Sequence, residues 1–258
     1  MKKIISIVLL SVCVSFITKA QERIKIPLSD PAKPATIQLS VVTGSVKAEG
    51  YDGNEVVILF ENEGSKSENS GNLVKISNKW SGDLIVEENQ NNIIIRTPVP
   101  NKKMNIKLQV PINSNLKLSA VNGGALVVEN VSGSIEAKNV NGSILMKNIS
   151  GTVSANTVNG SIDVQFSKVN ANPMAFTTIN GSINVTLPGS SALNVRIKTN
   201  RGNIFSVFDI RPERDSQNSG EAGMRKINTN NNVSGIINGG GPEFFLTSVN
   251  GNIKLRKN

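Results

Sequence analysis

Between Val121 and Ile162 the apolar and polar positions recur with a period of nine or ten residues. The phrases Val121-Asn122-Gly123, Val131-Ser132-Gly133, Val140-Asn141-Gly142, Ile149-Ser150-Gly151 and Val158-Asn159-Gly160 mark the period, and Ile135, Ile144, Val153 and Ile162 follow the corresponding glycines at a fixed offset. Internal repetition of this kind is read first, because it decides the architecture. Asn-Gly is also the strongest short hairpin signal. A two-residue hairpin, however, would set Val140 opposite Ser143 and turn Ile144 to the other face. The apolar pair is Val140 and Ile144, so we expect both to point inward and Asn-Gly-Ser to form a corner around a shared interior. Gly142 is then expected at positive φ, where a residue without a Cβ is favoured.

The units between corners read Ile135, Ala137, Val140; Ile144, Met146, Ile149; and Val153, Ala155, Val158. Glu136, Lys138, Lys147, Ser154 and Asn156 lie between them. The first two apolar positions are two apart, as on a half-buried strand. The following step of three implies a bulge or bend. One such unit cannot bury its inner face alone. Stacked on copies of itself at about 4.8 Å per layer it can, with backbone groups paired above and below. The residue before glycine alternates Asn and Ser, so one coil is read as two units. Asn122, Asn141, Asn159 and Asn180 then fall in a column whose amides can bond along it.

Beyond this stretch the rhythm loosens. Ile179-Asn180-Gly181-Ser182-Ile183, Thr199-Asn200-Arg201-Gly202 and Val249-Asn250-Gly251-Asn252-Ile253 continue it, with a polar insertion at about 211–232. Ahead of it, Leu73–Ile76, Leu84–Val86, Ile93–Arg96 and Asn105–Val110 read as strands that cap the stack, and Pro111 marks a turn before the strand at Leu116–Leu118. The expected fold is all-β: a single β-solenoid with two units of nine to ten residues per coil and N-terminal cap strands. Its structural turns are Asn122, Gly123, Gly133, Asn141, Gly142, Gly151, Asn159, Gly160, Asn180, Gly181, Gly202, Asn250 and Gly251.

Residues 1–20 read as a signal peptide: Lys2 and Lys3, an apolar run from Ile4 to Ile17, then Thr18-Lys19-Ala20. The run is shorter than the ~20 residues that span a bilayer. Cleavage after Ala20 removes Cys13, and it removes three lysines, lowering the formal net charge from +9 to +6. Residues 21–258 then form one domain, within the ~250-residue range of a single core, and hold neither cysteine nor histidine. Disulfides, thiolate nucleophiles, histidine triads and imidazole or thiolate zinc sites are excluded. No catalytic, metal or cofactor residues are expected.

The opening Gly44-Ser45-Val46 with Gly50-Tyr51-Asp52-Gly53-Asn54-Glu55-Val56, the Val110-Pro111 step, the Val-Asn-Gly-Ser-Ile repeats and the closing Gly239-Gly240-Gly241-Pro242 resemble a known family. It is the bacterial family of exported β-strand-repeat domains called toast-rack or candidate adhesin domains, and the resemblance spans about residues 36–255. These motifs are turns and core positions, so the resemblance implies a fold, and no family catalytic residues carry over.

The remaining chemistry is sparse. Glu129, Glu136 and Asp163 read as solitary outward carboxylates, short of the paired carboxyls that glycoside hydrolysis needs. The turns lack the aspartates of a calcium β-roll. Gly239-Gly240-Gly241 has neither a following helix nor Lys-Ser/Thr, so it reads as a tight turn and not a phosphate loop. Arg196, Arg201, Arg211, Arg214, Arg225 and Lys226 form a loose basic group. The reading is a non-catalytic structural or adhesin-like envelope protein, in the periplasm, on the outer membrane surface or outside the cell. The partner is left open, with an anionic envelope polymer or another envelope protein as the candidates. Nucleic acid is not expected, since one Trp and one Tyr offer little stacking. The alternatives are a solenoid enzyme on acidic polysaccharide, or an envelope-stress or signalling accessory.

Overall fold

The computed structural model describes residues 22–61, 84–97, 103–212 and 231–258. The expected signal segment with Cys13, the expected strand at Leu73–Ile76 and most of the 211–232 insertion, including Arg214, Arg225 and Lys226, lie outside the described residues. Those described form strands and turns, and none forms a helix. In chain order the strands are β1 (Glu22–Pro27), β2 (Thr36–Thr43), β3 (Val46–Tyr51), β4 (Glu55–Glu61), β5 (Ile85–Asn89), β6 (Asn92–Arg96), β7 (Asn105–Pro111), β8 (Asn115–Asn122), β9 (Leu126–Glu129) and β10 (Ile135–Asn141). There follow β11 (Ile144–Ile149), β12 (Val153–Asn159), β13 (Ile162–Phe166), β14 (Met174–Asn180), β15 (Ile183–Leu187), β16 (Leu193–Arg201), β17 (Ile204–Ser206), β18 (Asn231–Ile237), β19 (Glu243–Asn250) and β20 (Ile253–Lys257).

They make two ten-stranded sheets. One runs β1-β4-β7-β3-β9-β11-β13-β15-β20-β17, the other β18-β16-β19-β14-β12-β10-β8-β2-β6-β5. From β8 to β15 consecutive strands enter alternate sheets, and from β10 on each pairs in parallel with the strand two before it. Ile135 thus lies opposite Leu116 and Val153, and Ile144 opposite Leu126 and Ile162. β10 and β11 are not a hairpin, because the chain turns a corner between sheets at Asn141-Gly142, as it does after Asn122, Asn159, Asn180 and Asn250.

At both ends the order departs from the chain order. The β2–β3 pair lies between β6–β7 and β8–β9, and β19–β20 lies between β14–β15 and β16–β17. The sheets are also mixed: β1 pairs antiparallel with β4, β4 with β7, β5 with β6, and β16 with β18. Antiparallel strands lie at three of the four sheet ends and cover parallel edges that would otherwise offer unpaired backbone groups; the fourth end is the short parallel strand β17.

One continuous apolar core fills the space between the sheets. Ile135, Ala137, Ile144, Met146, Val153, Ala155, Ile162 and Val164 are at most 1% exposed, and Phe166, Phe176 and Phe244 cluster with ring centroids 5.9–6.4 Å apart. Burying each large aliphatic side chain contributes about 1.5–3 kcal/mol.

The facing differs from expectation at one corner type. Val121, Val140 and Ile179 are exposed, and Asn139 is buried in place of Val140. β10 keeps strict alternation as far as Val140, so Ile135, Ala137 and Asn139 point in while Glu136, Lys138 and Val140 point out. The bend implied by the step of three occurs only in the Ser-Gly units. There Asn130 (φ 59°) and Asn148 (φ 53°) take left-handed conformations just before Val131 and Ile149, the register shifts between Met146 and Ile149, and both aliphatics are buried.

Candidate functional site

The Asn-Gly corners align along the edge where the chain passes from the second sheet to the first. The outermost column is an amide ladder. Asn141 Nδ2 donates to Asn122 Oδ1 (3.0 Å), Asn159 to Asn141 (2.8 Å), Asn180 to Asn159 (2.8 Å) and Asn250 to Asn180 (2.8 Å). Thr43 is in register beyond Asn122, and Arg201 beyond Asn250. Each inner asparagine uses one N–H and one oxygen lone pair along the column, leaving the other N–H and lone pair facing outward.

The second column is glycine, and the reason for it is not the expected one. Gly142, Gly160, Gly181, Gly202 and Gly251 are not at left-handed φ. A Cβ on Gly160 would overlap the Gly142 carbonyl oxygen, and one on Gly181 the Gly160 oxygen. Gly251 meets Gly181 in the same way, Gly202 meets Gly251, and Gly142 meets Gly124. The column exists because backbone stacks directly on backbone. Gly133 and Gly151 do the same at the Ser-Gly corners, against Ser114 and Gly133. Gly123 is the exception: it has φ +94° and open space where its Cβ would be.

A third column, inside, carries no signal of hydrophobic periodicity and was missed for that reason. Thr157 Oγ1 donates to the Gly142 carbonyl (2.8 Å), Thr178 to Gly160 (2.8 Å), Ser248 to Gly181 (3.0 Å) and Thr199 to Gly251 (2.9 Å). Asn139 Nδ2 serves Gly124 in the same way (2.9 Å). These side chains are buried, and an unpaired buried carbonyl would cost about as much as a lost hydrogen bond. The recurrent hydroxyl two residues before the ladder position was the available clue. Two further asparagines were also passed over. Asn148 Nδ2 donates to Asn130 Oδ1 (2.8 Å), a short ladder at the opposite corner. Asn91, buried at φ 63° in the β5–β6 turn, ties that turn to Asp30 and Lys33.

The outward charges are held singly. Glu129 pairs with Lys47 (2.7 Å), which raises the lysine pKa through that hydrogen bond. Glu136 pairs with Lys138, whose side-chain hydrogen bond holds the carboxyl below its usual range. Asp163 accepts from Asn184 (3.4 Å). Glu136 lies on the other sheet from Glu129 and Asp163, and β11 separates those two. Arg196 pairs with Glu243 and stacks over the Phe245 ring (5.8 Å), and Arg211 meets Asp209 (3.4 Å). On the outer face of the second sheet a shallow depression of about 370 Å³ is lined by Gln38, Ser40, Arg96, Lys117, Glu136 and Lys138. Lys117 makes no ion pair among the described residues. Gly239 and Gly240 are both left-handed (φ 90° and 88°) in the turn before β19. No group of three or more metal-ligating acidic, Cys or His side chains occurs among the described residues. No helix among them is long and apolar enough to cross a membrane.

No curated protein matches the sequence. Among solved structures, a candidate cell adhesion protein from Clostridium sporogenes ATCC 15579 is similar at 13% identity and a TM-score of 0.49, covering 92% of this chain and 100% of that one. A candidate adhesin from Parabacteroides distasonis ATCC 8503 is similar at 12% identity and a TM-score of 0.27, covering 92% of this chain and 97% of that one. The Toastrack DUF4097 family model matches residues 17–256, nearly the whole sequence, and the chain belongs to that family.

Proposed function

We propose that the chain is an exported, non-catalytic structural or adhesin-type protein of the bacterial cell envelope, whose mature part is a single domain built as a solenoid of two-strand coils. The observation that carries this reading is the amide ladder from Asn122 to Asn250, which presents one polar group per layer beside Val121, Val140 and Ile179. A repeated, uncharged, rigid row suits contact with an extended partner and does not concentrate reactive groups at one point. Glu129, Glu136 and Asp163 support the same reading, since each is tied to its own lysine or amide and the three lie on separate strands of the two sheets, not as the facing pair that glycoside hydrolysis needs.

The proposed partner is an acidic envelope polymer, or another envelope protein with an acidic surface. Lys117 at the depression and the surplus of basic residues favour it. Attraction of this type weakens smoothly with salt, because exposed charges are screened with a Debye length of about 8 Å at 0.15 M. Fractionating cells that express the tagged chain, then incubating purified residues 21–258 with acidic envelope polysaccharide, tests both parts. The expected result is an envelope-associated protein that binds in a salt-dependent way and leaves polymer length unchanged. Recovery in the cytoplasm overturns the export reading. Shortening of the polymer that is lost in Asp163→Asn or Glu136→Gln supports instead an enzyme acting on acidic polysaccharide.

A further inference from the structure

We infer that Asn122 is a site of spontaneous covalent modification, deamidation through a succinimide, and that the fold protects the other Asn-Gly pairs from the same reaction. The inference does not depend on the proposed function. In an Asn-Gly sequence the glycine backbone nitrogen is unshielded by a Cβ and can attack the asparagine Cγ. The N–Cγ bond forms as the side-chain amide leaves as ammonia, closing a five-membered imide. Water then opens either carbonyl of the ring, giving aspartate or isoaspartate. Overall one amide and one water become one carboxylic acid and one ammonia, with no oxidant or reductant. Asparagine is among the thermolabile residues for this kind of reason.

The sequence contains six Asn-Gly pairs, at 122, 141, 159, 180, 238 and 250. The attack requires a carboxamide free to rotate, a glycine nitrogen free to lose its proton and a backbone able to close the ring. The ladder denies the first at Asn141, Asn159, Asn180 and Asn250, whose Nδ2 groups donate at 2.8–3.0 Å. Three of the following glycines are also held by their nitrogens. Gly160 donates to Asn180 O (3.1 Å), Gly181 to Asn250 O (3.1 Å) and Gly251 to Arg201 O (2.9 Å). All four glycines are pressed against the carbonyl of the adjacent layer, which leaves the corner no room to bend. At Asn238, Nδ2 is anchored to the carbonyls of Gly189 (3.1 Å) and Ser191 (2.9 Å).

Asn122 is the acceptor end of the ladder. Its Oδ1 accepts from Asn141, and its Nδ2 has no partner among the described residues. Gly123 is left-handed with open space around it, and its nitrogen has only a 3.4 Å contact with Asn141 O. The corner is also longer: Gly123, Gly124 and Ala125 separate β8 from β9, where Gly142 and Ser143 suffice between β10 and β11. The aspartyl product still offers an oxygen to Asn141 Nδ2, so the ladder survives with an added negative charge at its end. The isoaspartyl product inserts a methylene into the main chain. It shifts the Asn122 carbonyl that accepts from Gly44 N (3.0 Å), at the seam where β2 is laid against β8.

The test is incubation of the purified chain in mildly alkaline buffer, followed by peptide mass mapping that separates aspartyl from isoaspartyl products. The folded chain is expected to convert Asn122 at least roughly tenfold faster than Asn141, Asn159 or Asn180, the factor that about 1.4 kcal/mol of ladder hydrogen bonding represents. In urea, where the ladder is absent, the six sites should converge. Gly123→Ala should slow Asn122 alone. Conversion of any inner rung as fast as Asn122, conversion of Asn238 first, or the same order of sites in the unfolded chain would each overturn the inference.

Discussion

Replacing Gly160 by alanine tests the close stacking of the corners, and the same change at Gly123 is its control. At Gly160 the backbone is not left-handed, so alanine meets no dihedral strain there. Its Cβ would instead lie 2.5 Å from the Gly142 carbonyl carbon and 2.9 Å from Ser143 N, and would overlap the Gly142 oxygen. None of these atoms is the end of a flexible side chain, so relief requires the layers to part. Parting them strains the Thr157 bond to Gly142 O (2.8 Å) and the Asn159 to Asn141 rung (2.8 Å). Overpacking costs about 1–3 kcal/mol and each weakened hydrogen bond about 0.5–1.5 kcal/mol. Gly160→Ala is therefore expected to destabilise by roughly 2–6 kcal/mol on those scales. At Gly123 nothing lies within 4 Å of the added methyl, and only the left-handed φ of +94° opposes it, a cost of about 1–2 kcal/mol. Urea denaturation followed by far-UV circular dichroism at constant m measures both. Gly160→Ala within about 0.5 kcal/mol of the parent, the range of an ordinary surface substitution, or no worse than Gly123→Ala, would refute the stacking argument.

Three further outcomes follow from the same geometry. Ile144→Ala should cost about 2–5 kcal/mol through lost burial and cavity formation, while Val140→Ala should stay within about 0.5 kcal/mol; equal losses in denaturant melts would contradict the facing. Asn139→Thr should leave stability unchanged or raise it by up to about 1 kcal/mol, because a hydroxyl can serve Gly124 O as Thr157 serves Gly142, and the buried Asn139 Oδ1, which has no partner, disappears; a loss on melting would show that the amide is needed for its size. Glu136 has its folded pKa lowered by the Lys138 hydrogen bond, so its small contribution is present above the unfolded carboxyl pKa and fades as pH falls through the folded one. The pair is well exposed, which limits that contribution to about 0.5 kcal/mol, and Lys138→Ala should move the Glu136 titration, read by NMR, upward; an unchanged titration would remove Lys138 as the cause.

The period of the chain was legible because successive units repeat the same inward positions. Ile135, Ile144, Val153 and Ile162 are all in the core, and an asparagine at the same place in alternate units necessarily faces its copies. What was misread has a physical cause in each case. Val140 is apolar, which suggested an inward position, yet unbroken alternation along β10 turns it out and gives its place to Asn139. Glycine in a turn signals either a left-handed backbone or the need for no Cβ, and composition does not distinguish them; Gly123 illustrates the first and Gly160 the second. The left-handed residues of the Ser-Gly corners are Asn130 and Asn148, which carry no glycine signal at all. The out-of-order placement of β2–β3 and β19–β20 was not readable, because strands of near-identical pattern can pair with several neighbours, and periodicity does not choose among them.

The central claim is that successive Asn-Gly corners lie directly over one another in adjacent parallel strands. Residues 21–258 contain no cysteine, so a pair of cysteines introduced into them tests that claim without interference. In Asn141→Cys/Asn159→Cys the two side chains replace a ladder rung whose nitrogen and oxygen are 2.8 Å apart. Strands in register at about 4.8 Å fall within the Cα separations of about 4.4–6.8 Å that a disulfide spans. Mild oxidation of the folded protein, read by mass spectrometry of non-reduced peptides, should give this crosslink within a single chain. Failure of that pair to close, together with ready closure of Val140→Cys/Ser143→Cys, the pair that a two-residue hairpin would set opposite each other, would contradict the stack.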